Sequence, residues 1–191
     1  FFFEPGELRD NGKQMRVVRV GVSQSSESPQ SPLWDRLREH RGTISGKFSG
    51  GGNHRMSNFR YYVGSALINR DNVVCPSWEE LESYNTSIRK EEHPLEMKVS
   101  DIISNMPFLW LSTERSSRPD QLNKFIKRNA VALLSNYHNQ VALDSPSPNW
   151  LGHYCPNDAI RLSGLWNHRS VDVTWNPRFL NYLEKLVRLV K

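Results

Sequence analysis

The segment at 16–40 constrains this chain more than any other. Val17, Val18 and Val20 favour an extended, half-buried backbone because they are branched at Cβ, and Gly21 ends the run. Residues 22–32 are rich in Ser, Gln and Pro and read as a solvated loop. A short amphipathic helix is expected next, over about 33–41, in Leu33-Trp34-Asp35-Arg36-Leu37-Arg38-Glu39-His40. Arg36 and His40 are four apart, so they share one face of that helix. A permanent cation beside a titratable imidazole suits a phosphate group. The same spacing also describes an ordinary solvated helix face. The strand needs a partner, and Phe1-Phe2-Phe3 supplies one. Turn signals at Glu4-Pro5-Gly6-Glu7 and Asp10-Asn11-Gly12-Lys13 lie between the two runs, so an antiparallel hairpin is expected.

The rest of the chain is mostly helical in pattern. Gly42 to Gly52 reads as a flexible connector. Phe59, Tyr62, Val63, Ala66 and Leu67 then form a stripe at helical spacing, which predicts a helix over 57–69. Ser77 and Glu80 have the spacing of a capping box and suggest a helix start, and Pro94 is expected to break the helix before it. Pro107 to Ser112 reads as a buried strand. Pro119 and Asp120 suit a helix N-terminus, and Leu122, Phe125, Ile126, Ala130, Leu133 and Leu134 continue that helix to about Ser135. A polar connector follows to Pro148, then a short helix at Asp158–Leu162 stopped by Gly164. A last helix, entered at Asn176-Pro177, carries Phe179, Leu180, Leu183, Leu186, Val187 and Val190 on one face. This is an α+β pattern: a small antiparallel sheet made by a hairpin, flanked by several helices.

Composition narrows the function classes. The chain has 191 residues and a formal net charge of +5, which favours an acidic partner, nucleic acid first. Its two cysteines, Cys75 and Cys155, lie in no paired motif and read as free thiols, so a reducing, cytoplasmic setting is expected. No apolar run approaches the length of a membrane span, and the first residues do not read as a signal peptide. The chain begins without Met and inside an apolar run, as though cut into an element.

The strand-glycine-loop-helix unit resembles the GIY-YIG nuclease superfamily. Arg19-Val20-Gly21 sits where that family carries its second tripeptide, and Leu33 to His40 is similar to its L-x-x-R-L-x-x-H helix. The first tripeptide would lie just before Phe1. The helix containing Phe125-Ile126-Lys127-Arg128-Asn129-Ala130 resembles the element that supplies a metal-binding Glu, and Lys127 occupies the Glu position. Asn136 or Asn139 could be the polar residue that family members carry after that helix. The resemblance covers about 1–41 and 119–139. It implies one domain over 1–191, with a helical insertion at about 42–106 and a C-terminal helical extension at about 150–191.

The resemblance further implies a DNA endonuclease-like domain: a hydrolase that cleaves phosphodiesters with Mg²⁺ or another divalent metal. Arg36 would clamp phosphate, His40 would accept or relay a proton, and Arg19 stands where the family has Tyr. Lys127 departs most seriously, because an ammonium offers no oxygen to a hard metal. The chain as written is therefore expected to cleave poorly or not at all. A non-catalytic DNA-binding module on the same fold, or a protein-interaction domain, are the other readings. Lys47, His54, Arg55, Arg60, Lys124 and Arg128 are the candidate nucleic-acid contacts. Asn53-His54-Arg55 and Asn167-His168-Arg169 lack the ligand spacing of a metal site. Trp78, Trp110, Trp150, Trp166 and Trp175 are expected as core anchors rather than base-stacking platforms.

Overall fold

The computed structural model describes residues 1–22, 32–81, 85–113 and 116–188. The expected solvated loop therefore lies almost wholly outside the described residues, as does Val190. The fold is α+β. A hairpin of β1 (Phe2–Leu8) and β2 (Met15–Arg19) pairs antiparallel, with Phe2 opposite Arg19 and Leu8 opposite Met15. Pro5 and Gly6 do not form the turn expected of them. They lie inside β1, where the register is irregular and Gly6 takes a φ of 88°. A proline without N–H and a glycine free to adopt positive φ make a bulge as readily as a turn. The chain reverses instead at Arg9–Gln14, where the Arg9 N–H donates to the Gln14 carbonyl at 2.8 Å.

Both edges of this hairpin are covered. Phe2 bridges Phe108, so Pro107–Leu109 flanks β1. This is a single bridge rather than the buried strand expected there, for Leu109 and Trp110 are mostly exposed. On the other edge, the Trp166 N–H donates to the Val18 carbonyl at 2.7 Å. The Asn167 side chain takes over where backbone pairing stops: its Oδ1 accepts from the Val20 N–H at 2.9 Å and its Nδ2 donates to the Val20 carbonyl at 3.0 Å. Unpaired edge groups are thus satisfied without a further strand.

Six α-helices are found among the described residues: α1 (Pro32–Arg41), α2 (Asn58–Asp71), α3 (Thr86–Ser104), α4 (Pro119–Leu134), α5 (Asp158–Ser163) and α6 (Arg178–Arg188). None is long and apolar enough to cross a membrane. Ser57 caps α2 by accepting from the Arg60 N–H, and Asn85 caps α3. The Ser77 region forms only a short 3₁₀ turn, Pro76–Trp78, so the true helix starts at Thr86. Pro94 does not end α3, which passes through it. Pro94 and Lys90, the residue whose carbonyl loses its donor, are both exposed, so water can serve that carbonyl.

Strand β2 is the seam between two apolar clusters. Val18 packs with Phe2, Phe59, Val63, Val99 and Trp166, whereas Val20 packs with Ala130, Val131, Leu165 and Phe179. Trp78, Trp150 and Trp166 are buried anchors as expected, while Trp110 is on the surface.

The core also holds a polar knot. The Glu96 carboxylate accepts from Arg60 Nε at 2.9 Å and Nη2 at 2.5 Å, and from the His54 backbone N–H at 2.7 Å. His54 Nδ1 lies 3.0 Å from the same carboxylate, and its ring stacks on Trp78 with centroids 3.7 Å apart. Arg60 Nη1 reaches the His40 carbonyl at 2.7 Å and so fixes the end of α1. The Gly-rich segment closes over this knot instead of acting as a loose connector. Thr43 and Gly51 pair through their backbones, and a Cβ on Gly52 would stand 2.3 Å from the Arg60 guanidinium. Glycine is needed there for close approach.

Burial pushes the Glu96 carboxyl up, but the hydrogen bond from His54 and the charge and hydrogen bonds of Arg60 overcome this and hold it below the usual value of 4.5. A carboxylate depressed on folding contributes stability above its unfolded pKa and loses it as pH falls. Removing its charge leaves Arg60 buried and unpaired. Glu96→Gln is expected to cost about 3–5 kcal/mol in urea unfolding at pH 7, with the deficit shrinking as pH drops below about 4. A loss under about 1 kcal/mol would show that the knot does not hold the fold.

Candidate functional site

Beside the hairpin lies a cavity of about 140 Å³. Strand β2 contributes Arg19, α1 contributes Arg36, Leu37 and His40, and α4 contributes Asn123 and Lys127. The four residues singled out by the sequence as catalytic or metal-position groups thus meet in one place, from three elements. Their burial and charge explain the electrostatics.

Arg19 is 8% exposed and stacks its guanidinium 4.2 Å over the Phe59 ring. Its Nη1 donates to the Trp166 carbonyl at 2.8 Å, and its buried Nε has no hydrogen-bond partner. Burial and the neighbouring Arg36 lower its pKa from the usual guanidinium range. Arg36 is partly exposed and paired with Glu39, one turn along α1. Lys127 is half-buried, and its ammonium pKa is lowered by burial and then by Arg19, Arg36 and Arg169. It is therefore part of the cleft, whereas Lys124 and Arg128 on the same helix face solvent.

His40 is 3% exposed, and its ring makes edge contacts with Phe2 and Phe59. Nδ1 pairs with Ser57 Oγ at 3.0 Å. Burial first, then Arg19, Arg36 and Arg60, lower its pKa from 6.5 to about 2. A proton relay with an ordinary imidazole pKa is thus not what the resting cleft holds. The ring is a neutral acceptor or donor near pH 7, and only an anion offsetting the cations would raise its basicity.

The sequence missed two residues here. His168 is half-buried, and its pKa is lowered by burial and by Arg169, Arg19 and Lys127, so this pair flanks the same cations. No spacing signal pointed to them. They do not line the cavity; the Asn167 side chain, bonded to the Val20 backbone just after β2, holds the segment before them beside it. Asn136 and Asn139 do not line the cavity; Asn136 Oδ1 accepts from the Leu143 N–H, and Asn139 Nδ2 donates to the Ser135 carbonyl.

Three of the expected nucleic-acid contacts are corrected. Arg60 and His54 are 0% and 1% exposed and committed to Glu96. Arg55 forms a bidentate pair with Glu92, at 2.6 and 2.8 Å. A side chain buried against a carboxylate is not offered to phosphate. Their isolated charges read as surface only because their carboxylate partners lie 36 to 42 positions away.

The residues do not fit a divalent metal. Mg²⁺ needs oxygen ligands, and among the described residues the charged side chains of the lining are Arg19, Arg36 and Lys127, with no carboxylate. Asp35 and Glu39 on α1 pair with Arg38 and Arg36. No group of three or more His, Cys, Asp or Glu able to hold a metal occurs among the described residues. The arrangement is suited to an anion: guanidinium and ammonium groups converge where little water competes.

A family model described as GIY-YIG domain matches residues 1–191. No curated protein and no solved structure matches the chain.

The depressed His40 pKa has a measurable consequence. Below 6.5 the unfolded chain takes up a proton that the folded imidazole refuses, so stability falls as pH drops. The expected slope between pH 6 and 5 approaches about 1.4 kcal/mol per unit in denaturant unfolding. His40→Gln should flatten that slope; an unchanged slope would mean His40 is freely protonated in the fold.

Proposed function

The chain belongs to the GIY-YIG nuclease superfamily, and from that premise we propose that its cleft grips a DNA phosphodiester without the metal-assisted cleavage of the family. Arg19 carries this reading. Its guanidinium is almost fully buried, makes one hydrogen bond to a carbonyl, and has no carboxylate partner among the described residues. A buried cation left this way costs free energy that a bound anion would recover. Arg36 supplies a second guanidinium, which meets phosphate oxygens in bidentate fashion. Lys127 adds a third positive charge from the position where the family carries its metal-binding Glu. Neutral His40 donates or accepts a hydrogen bond at the same phosphate. Lys47, Lys124 and Arg128 are exposed and extend the contact along the strand as point charges.

No step of hydrolysis is assigned to a metal, because the described residues of the lining offer it no carboxylate. On this reading the unmodified chain binds DNA and does not cut it. The segment at 42–106 is read as an insertion within one domain over 1–191, and 150–191 as its helical extension.

Two measurements test the proposal. DNA binding by anisotropy should weaken steeply as salt rises, and Arg36→Ala with Lys127→Ala should weaken it at least tenfold at fixed salt. Unchanged binding in the double variant would remove the cleft from the interface. In plasmid nicking with Mg²⁺, the unmodified chain should leave supercoiled DNA intact. Lys127→Glu should introduce nicking that Arg36→Ala abolishes. Nicking by the unmodified chain that needs Arg36 would overturn the inactive reading and leave a working nuclease.

A further inference from the structure

Helix α1 separates two hollows. One face, with Arg36 and His40, lines the phosphate cavity. The next face, with Trp34, Arg38 and Arg41 at i, i+4 and i+7, lines a groove of about 810 Å³. The two hollows share Phe2, Leu37, His40 and Phe108, so they adjoin one another along α1. The groove has the size of a ligand site. Its opposite wall carries Arg89 and Ile103 from α3, and its lip carries Ile44 and Met56.

Two properties of the groove fit one ligand class. Large apolar side chains stand open to solvent: Trp34 is 57% exposed, Met56 64% and Ile44 80%. Positive charge lies among them. Arg38 is 78% exposed and pairs only loosely with Asp35, at 3.4 Å. The buried Nε of Arg89 has no hydrogen-bond partner, and its guanidinium is stacked 4.2 Å over the Phe48 ring. Glu39, the lining carboxylate, is already taken by Arg36. Planar apolar surface interleaved with arginines and adjoining a phosphate site is the chemistry that holds unpaired bases. Bases of an intact duplex are already stacked on one another and cannot lie on Trp34.

We propose that this groove binds a single-stranded segment, with an unpaired base stacked on Trp34 and the adjoining phosphate in the Arg19–Arg36–Lys127 cavity. The inference rests on the phosphate-binding reading and names its substrate class: single-stranded nucleic acid, or a single-stranded arm of a branched one. Trp34 is a binding residue on this reading, and more than half of it is exposed.

The test compares a single-stranded oligonucleotide with a hairpin duplex of the same length, at one salt concentration, by anisotropy. The unmodified chain should bind the single strand at least tenfold more tightly. Trp34→Ala should reduce single-strand affinity about tenfold or more and leave duplex affinity unchanged. Trp34→Phe should restore most of the loss, and its circular dichroism melt should match that of the unmodified chain. Arg36→Ala should weaken both ligands. Equal binding of the two DNAs, or a Trp34→Ala variant that keeps full single-strand affinity, overturns the groove assignment while Arg36-dependent duplex binding leaves the phosphate cavity standing. Binding of neither DNA overturns both.

Discussion

The Arg60–Glu96 ion pair is the contact on which the rest of the architecture hangs. Both side chains are withdrawn from water, so each would be costly without the other. The guanidinium does more than neutralise the carboxylate. It reaches the Ser100 hydroxyl on α3 and the His40 carbonyl at the end of α1. Three helices and the glycine-rich loop therefore converge on one planar group. Since α1 carries Arg36, His40 and Trp34, the position of the cleft and of the neighbouring groove follows from an ion pair whose arginine anchors the His40 carbonyl.

The cleft itself is governed by charge imbalance. Three buried arginines among the described residues meet carboxylates: Arg16 with Glu7, Arg55 with Glu92, Arg60 with Glu96. Around the cavity Arg19 and Lys127 have no such partner among the described residues. The lowered pKa values of His40, Lys127 and His168 all express the same burial and the same crowd of positive neighbours. An anion relieves all of them together.

Much of this was legible in the sequence, and the exceptions have physical causes. The stripes of α2, α4 and α6 were readable because apolar periodicity is local. Arg36 and His40 were readable because four positions on a helix fix a face. Pro5-Gly6 and Ser77 were misread because turn and cap residues serve bulges and 3₁₀ turns equally well. The glycines from 42 to 52 looked like slack, whereas the structure uses them for close packing against Arg60 and Ser100. Arg60 and His54 looked like surface, since nothing local announces a carboxylate on another helix.

By itself, then, the sequence determined the hairpin, the helix that follows it, the family and the absence of a carboxylate at position 127. Each of these depends on residue identity and short-range spacing. Only the tertiary structure decided which cations share the cleft. It set Arg19, Arg36 and Lys127 together, placed His168 and Arg169 within electrostatic reach of them, and withdrew Arg55 and Arg60 into ion pairs. The reason is that an arginine side chain carries the same charge everywhere. Whether it meets a carboxylate or an open cavity depends on residues brought close by the fold, tens of positions away along the chain.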